Sequence, residues 1–178
     1  MKKNLKRETM DWIKSLMVAA LIALLIRHFV VEIFLVEGQS MNPTLSHSQR
    51  VVVNKFTYYF NEPGRNDIVV FEYSNDKDFI KRIVGLPGDE IEINDGEVYI
   101  DGDHFEEDYI NKIGNDDFGP REIPEGHYFV LGDNRNNSID SRSSRVGYIY
   151  EEEIKGKAAF VFWPPHAAGY ISQKAKEN

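Results

Sequence analysis

Residues 37–45 form a short loop that could present a serine hydroxyl for catalysis. Their sequence is Glu-Gly-Gln-Ser-Met-Asn-Pro-Thr-Leu. Gly38 can adopt backbone conformations that are closed to other residues, and Pro43 fixes its own φ and favours an extended Asn42. Ser40 lies between them, so we expect its hydroxyl to point outward as a potential nucleophile. An ordinary turn is the alternative.

Lys81 could act as a base, because it is a lysine within an apolar strand pattern. The alternation of a β-strand places it on the same face as Phe79 and Ile83. Burial among apolar neighbours lowers the pKa of a lysine, by up to about 3–5 units when it is complete. A neutral amine can accept the proton of a serine hydroxyl, as in Ser-Lys variants of serine catalysis. A strand lysine that reaches solvent is the alternative.

Residues 132–142 are the third segment with chemical potential. The sequence Gly-Asp-Asn-Arg-Asn-Asn-Ser-Ile-Asp-Ser-Arg contains two carboxylates, two guanidinium groups, two hydroxyls and three amides. Such a density of polar groups is typical of a solvated loop or of a hydrogen-bonded platform that orients other residues.

Three segments together resemble the motifs of type I signal peptidases: residues 38–45, 80–89 and 132–142. They occur in the family order, after a basic N-terminus and an apolar segment. The resemblance covers most of residues 10–165, and the length is similar to that of the compact Gram-positive form. It implies a membrane-anchored serine endopeptidase that removes signal peptides from secreted preproteins at the outer face of the cytoplasmic membrane. No cofactor and no metal are implied.

The resemblance also implies the catalytic roles. Ser40 would be the nucleophile and Lys81 the general base. The backbone N–H of Ser40 would donate to the oxyanion. Some family members have a second donor hydroxyl two residues before the nucleophile, where this chain has Gly38, so that donor is missing or is supplied by the backbone or water.

Five further residues would support this pair according to the same resemblance. Ser138 would hydrogen-bond the lysine amine and orient it. Asp140 and Arg142 would form an ion pair within the polar loop, and Asp133 would pair with Arg82 behind the base.

The expected substrate is an extended Ala-x-Ala-like stretch that pairs with strands while its small side chains enter shallow pockets. All the matching pocket positions are apolar, and they are Phe34, Val36, Met41, Leu45, Val70 and Ile80.

A membrane anchor is predicted for residues 12–31, which are about long enough to cross a hydrocarbon core. Four basic residues within the first seven positions place residues 1–11 in the cytoplasm and residues 32–169 outside. A cleavable signal peptide is disfavoured because no Ala-x-Ala pattern follows the apolar run. A buried soluble helix is the remaining alternative.

Residues 32–169 are expected to be mainly β, forming a barrel-like or sandwich-like catalytic domain. Asn94-Asp95-Gly96, between two alternating segments, predicts a hairpin. The acidic residues 101–121 are expected to form an exposed excursion, and residues 170–178 a flexible tail.

Composition excludes several other functions. The chain has no cysteine, which rules out disulfides and thiolate chemistry, and its net charge of −8 disfavours nucleic acid as a partner. The five histidines are scattered, so neither a Ser-His-Asp triad nor a metal site is indicated. The partners implied by the resemblance are secretory preproteins and the phospholipid membrane. A self-cleaving Ser-Lys protease and a non-catalytic membrane-tethered β-domain are the rival interpretations.

Overall fold

The computed structural model describes residues 2–74, 77–110 and 114–171. Within them, one α-helix, α1 (Lys2–Phe29), precedes a series of strands. The prediction of a mainly β fold with one N-terminal apolar helix is confirmed. The strands are β1 (Val31–Leu35), β2 (Arg50–Asn54), β3 (Ile68–Ser74), β4 (Lys77–Gly85), β5 (Glu90–Asn94), β6 (Glu97–Ile100), β7 (Asp103–His104), β8 (Phe118–Glu122), β9 (His127–Leu131), β10 (Ile149–Tyr150), β11 (Ile154–Trp163) and β12 (Gly169–Tyr170).

Helix α1 contains a stretch, Glu8–Arg27, that is long and apolar enough to cross a membrane, with a mean hydropathy of 1.8. Its apolar side chains are exposed rather than packed against the strands, as expected of a segment whose surroundings are lipid. The helix ends at Phe29, and β1 begins at Val31. The predicted anchor boundaries, residues 12–31, therefore reach just past the helix, and the division into segments stays a prediction.

The described strands form two sheets. The larger has the order β1-β2-β11-β3-β4-β9-β10, with β12 paired to β11, and the smaller has the order β7-β6-β5-β8. The predicted hairpin is the pair β5–β6, whose turn residues Asp95 and Gly96 have φ values of 50° and 82°. Two successive residues with positive φ match the right-handed twist of a tight hairpin.

Strand β3 separates two apolar cores in the larger sheet. Successive side chains of a strand point to opposite faces, so Ile68 and Val70 enter one cluster while Val69 and Phe71 enter the other. The first cluster also contains Met41. The loop after β1 is therefore fixed to the sheet by its own apolar side chain.

The expectation of an exposed excursion at residues 101–121 is wrong in part. Strand β8 pairs with β5, and Tyr109 is buried at 3 % exposure. The acidic composition suggested solvent, but Glu107 is neutralised by the buried Arg135. The predicted flexible tail, residues 170–178, lies mostly outside the described residues, and Tyr170 at its start belongs to β12.

Candidate active site

The hydroxyl of Ser40 and the amine of Lys81 are in direct contact. Lys81 Nζ lies 2.8 Å from Ser40 Oγ and donates to it in the structure. Ser40 belongs to the loop between β1 and β2, and Lys81 lies in the middle of β4. Folding thus joins two residues that are 41 positions apart in sequence.

The loop that carries Ser40 is held by the apolar core and by the polar loop of residues 132–142. Met41 and Leu45 are buried in the core, at 1 % and 0 % exposure. On the other side, the backbone N–H of Asn134 donates to the Ser40 carbonyl at 2.9 Å, and the Asn134 side chain donates to the Gln39 carbonyl at 3.1 Å. The loop that carries Ser40 is therefore fixed to both the core and the polar loop.

Lys81 is buried, with only 3 % of the residue exposed. Burial lowers its pKa from 10.5 to about 8, although the carboxylates of Asp140 and Asp133 act in the opposite direction. A second contact, from Nζ to the Ile80 carbonyl at 3.0 Å, orients the amine. A fraction of the molecules therefore carries a neutral amine near neutral pH.

Strand order explains how the polar loop reaches the amine. Strand β4 lies between β3 and β9, and Leu131, the last residue of β9, is the partner of Arg82. The chain leaves β9 directly into residues 132–142, which therefore begin next to Lys81.

Arg82 and Asp133 form a buried ion pair on the opposite face of β4 from Lys81, at 0 % and 1 % side-chain exposure. The contacts are bidentate: Nε to Oδ1 at 2.9 Å and Nη2 to Oδ2 at 2.7 Å. Thr44 donates to the same carboxylate, and the Tyr109 ring lies 3.8 Å from the guanidinium carbon. Because Arg82 and Lys81 are neighbours in β4, this ion pair fixes the strand that carries Lys81.

Asp140 and Arg142 form the second ion pair of the polar loop. Arg142 Nε donates to Oδ1 at 2.8 Å, and Nη2 donates to Oδ2 at 2.9 Å. Asp140 also accepts the backbone N–H of Gly132 at 3.0 Å. These contacts close the loop on itself, since they join its last residues to its first.

Ser138 differs from the expectation. Its Oγ is buried but has no hydrogen-bond partner among the described residues. The Lys81 amine donates instead to Ser40 and to the Ile80 carbonyl. Ser138 packs closely against Gly132, where even a Cβ would overlap its hydroxyl. The loop therefore brings Ser138 into the site without the predicted bond to the amine.

A cleft of about 880 Å³ opens beside the Ser40–Lys81 pair. Four of the six predicted pocket residues line it, and they are Phe34, Val36, Val70 and Ile80. Met41 and Leu45 do not line the cleft, because their side chains turn into the core beneath it. Their apolar character therefore serves packing of the loop rather than the wall of the pocket.

Comparison with known proteins identifies the family. The family described as "Signal peptidase, peptidase S26" matches residues 9–163. The chain belongs to this signal peptidase family. The expectation of a type I signal peptidase, a serine hydrolase, is confirmed.

Individual relatives are similar over most of the chain. Signal peptidase I T of Bacillus subtilis strain 168 is 42 % identical over 176 residues, which cover 91 % of each chain. Signal peptidase I of Bacillus amyloliquefaciens is 42 % identical over 178 residues, which cover 92 % of each. A crystal structure of a signal peptidase I from Enterococcus faecalis V583 is 35 % identical, with a TM-score of 0.47, and covers 55 % of this chain and 97 % of that chain.

Several residues of this signal peptidase site were not singled out from the sequence. Asn134 clamps the Ser40 loop, Thr44 binds Asp133, and Tyr109 covers Arg82. Asn134 and Thr44 lie inside the segments that resemble the family motifs, so their importance could have been predicted from the sequence. Tyr109 lies in the acidic segment, and its role depends on a tertiary contact that no local pattern encodes.

Proposed function

We propose that this signal peptidase cleaves signal peptides from secreted preproteins with Ser40 as nucleophile and Lys81 as general base. The observation that carries the proposal is the 2.8 Å contact between the Ser40 hydroxyl and the amine of Lys81, a residue that is only 3 % exposed. A base must lie within hydrogen-bonding distance of the proton that it removes, and its pKa should lie near the working pH. Burial brings the pKa of Lys81 to about 8, which meets the second condition.

The reaction is acyl transfer to the serine. Neutral Lys81 accepts the Ser40 proton as Oγ attacks the scissile carbonyl carbon, and the developing oxyanion takes a hydrogen bond from the Ser40 backbone N–H. The C–N bond then breaks, and protonated Lys81 gives its proton to the leaving amine. Water, activated by the same amine, hydrolyses the acyl ester and releases Ser40.

Supporting residues hold this geometry rather than touch the substrate. The pair Arg82–Asp133 fixes β4 from the opposite face, and the pair Asp140–Arg142 closes the polar loop. Ser138 has a buried hydroxyl in this loop with no partner among the described residues. The resemblance implies that this hydroxyl orients the Lys81 amine, and in the proposal it takes that role when substrate binds.

Substrate recognition follows from the edge of the larger sheet. Strand β1 is the terminal strand in the sheet order, and a terminal strand can pair with an extended peptide through backbone hydrogen bonds. The cleft next to β1 is lined by Phe34, Val36, Val70 and Ile80. Small apolar side chains, alternating along the peptide, fit such walls.

The site lies close to the expected membrane surface. Ser40 is nine positions beyond Val31, and the backbone N–H of Lys55 binds the Val30 carbonyl at the end of the anchor helix. Just after Lys55, the rings of Phe56 and Phe60 are exposed, as aromatic side chains at a membrane interface are. The basic N-terminus places residues 1–11 in the cytoplasm and residues 32–169 outside.

The test is processing of a secretory preprotein by the full-length, detergent-solubilised protein. Ser40→Ala and Lys81→Ala should each lose at least about 1000-fold in rate, because both groups take part in the same step. Ser46→Ala, a change at an exposed serine of the same loop, is the control and should process at the wild-type rate. Processing by either Ser40→Ala or Lys81→Ala at the control's rate would refute the proposal.

A further inference from the structure

We propose that His47 is a positioning residue for Ser40, through a hydrogen bond to the backbone two residues before the nucleophile. The N–H of Gly38 donates to His47 Nδ1 at 3.1 Å. The proposal rests on the assignment of Ser40 as the nucleophile. The proposal adds a residue outside the three motifs to those that orient the Ser40 side chain.

The imidazole continues a short backbone ladder at the base of the Ser40 loop. Val36 N–H donates to the Gln49 carbonyl at 2.8 Å, and Ser48 N–H donates to the Val36 carbonyl at 2.9 Å. The next N–H on that side of the chain belongs to Gly38, and it is the His47 side chain that accepts it. The bond therefore extends the closure of the loop by two residues towards Ser40.

Gly38 is the point where this restraint has most effect. Its φ is +85°, so the backbone turns there in the left-handed region and leaves the direction of β1. Glycine has the largest conformational freedom of all residues, and nothing lies within 4 Å of the position that a Cβ would occupy. Neighbouring side chains therefore do not fix this turn, and the bond to His47 limits it instead.

His47 and Asn134 restrain opposite ends of the same tripeptide. His47 binds the N–H of Gly38, while Asn134 binds the carbonyls of Gln39 and Ser40. The Ser40 hydroxyl lies between these restraints and must meet Lys81 Nζ. Loss of one restraint lets the serine sample orientations in which the proton transfer to the amine is not possible.

The hydrogen bond from Gly38 defines which chemical group is needed at position 47. Since Nδ1 accepts a hydrogen bond, the neutral ring carries its proton on Nε2. What the site needs at this position is therefore an acceptor at the second atom beyond Cβ. Asparagine offers Oδ1 at the same number of bonds from the backbone, while leucine places a methyl group there.

This difference gives a matched pair of variants, His47→Leu and His47→Asn, to be compared in full-length, detergent-solubilised protein. With a secretory preprotein as substrate, His47→Leu should lower kcat about tenfold, between the loss expected from one hydrogen bond and that from an ångström of misplacement. KM should change less than about twofold, because the apolar walls of the cleft are untouched. His47→Asn should restore kcat to within about twofold of wild type.

Melting temperatures separate positioning from folding. His47 is exposed, so both variants should melt within about 2 °C of wild type. A His47→Leu variant with wild-type kcat, an equal loss in both variants, or a loss of kcat matched by a lower melting temperature would each overturn the proposal. Ser40→Ala in the same assay tests the nucleophile separately. If the Ser40→Ala variant processed the preprotein, the proposed function would be refuted, whatever the His47 variants show.

Discussion

At Lys81, the proposed catalytic role and the stability of the fold oppose each other. Burial brings the pKa of the amine from 10.5 to about 8, and a difference of this size corresponds to about 3 kcal/mol against the charged form in the fold. The unfolded chain binds the proton more tightly, so this penalty is fully present below about pH 8 and disappears above about pH 10.5. Between these values, stability rises with pH because of this residue.

Replacing Lys81 by methionine should therefore stabilise the protein while abolishing processing. Methionine has a similar length and no charge, so at pH 7 we expect a gain of about 1–2 kcal/mol in the free energy of unfolding after the lost hydrogen bonds are counted. Denaturant titration of both proteins at pH 7 and pH 11 measures this difference in the free energy of unfolding. At pH 11 the penalty is absent, so the variant should instead be less stable than wild type by the contribution of the lost hydrogen bonds. Lys77→Met, at an exposed lysine of the same strand, is the control, and an equal gain there would contradict the explanation.

The residues of the site were predictable to different degrees. Lys81 was found because a charge between two apolar residues on one strand face is a local pattern, and the structure buries it. Met41 and Leu45 were expected in the pocket but lie beneath it, because sequence shows that a loop residue is apolar but not to which side it turns. Whether Ser138 hydrogen-bonds the Lys81 amine depends on the rotamer of one side chain, which no sequence pattern encodes.

At the scale of elements, the segment between β7 and β8 braces the polar loop of the active site. Glu107 holds Arg135 through contacts that include Nη1 to Oε2 at 2.7 Å, and both side chains are almost fully buried. Tyr109 stacks on Arg82, and Asp116 binds Arg142 from the exposed side. Glu107, Tyr109 and Asp116, which lie between two strands of the smaller sheet, thus support residues 132–142 and their partner Arg82.

Glu107→Gln should be strongly destabilising, because it leaves the buried charge of Arg135 without its counter-ion. Breaking a buried ion pair on one side costs about 3–5 kcal/mol. Asp116→Asn is the matched control: its side chain is 58 % exposed, so the cost should stay below about 1 kcal/mol. Urea unfolding of the two variants gives the comparison, and similar values for both would show that Glu107 does not brace the loop.

The edge strand β1 leads to a prediction about substrate shape. In an extended peptide the side chains at −1 and −3 point to one side and the side chain at −2 to the other. A tryptophan at −1 should reduce processing at least about 100-fold, because the proposed recognition places the −1 side chain against the walls formed by Phe34, Val36, Val70 and Ile80. Tryptophan at −2 should be tolerated. Equal processing of both preproteins would refute the pocket.

The strands themselves were largely predictable, and their pairing was not. Valine-rich β2 and the β5–β6 hairpin follow local alternation and turn chemistry. The insertion of β11 between β2 and β3 joins distant parts of the chain. The pairing of β8 with β5 could not be predicted either, since β8 has the sequence Phe-Gly-Pro-Arg-Glu, with no apolar alternation and four of its five residues exposed.

At the scale of the whole molecule, one apolar helix is joined to a β-domain with a net negative charge. The helix fits a membrane protein, and the contact of Lys55 with Val30 places the domain immediately beside the helix end. Under the proposed function, an active site at this position would meet cleavage sites as they emerge from the membrane. The charge asymmetry between the basic N-terminus and the acidic remainder sets the expected orientation.

Protease treatment of intact cells without an outer membrane tests this orientation. Externally added protease should degrade the β-domain and leave a small fragment containing residues 1–11 and the anchor. Inside-out vesicles are the control, and there the β-domain should be protected while the N-terminus is trimmed. The reverse pattern would place the catalytic domain in the cytoplasm.

The central claim is that a buried, neutral lysine removes the proton of Ser40, and the pH dependence of kcat/KM tests it most directly. This quantity reports the ionisation of the free enzyme. Since only neutral Lys81 can accept the proton, kcat/KM for a preprotein should fall about tenfold per pH unit on the acid side and level off above a midpoint near pH 8. A profile that stays flat from about pH 6 to pH 9, or that still rises towards the ordinary lysine value of 10.5, would contradict the account.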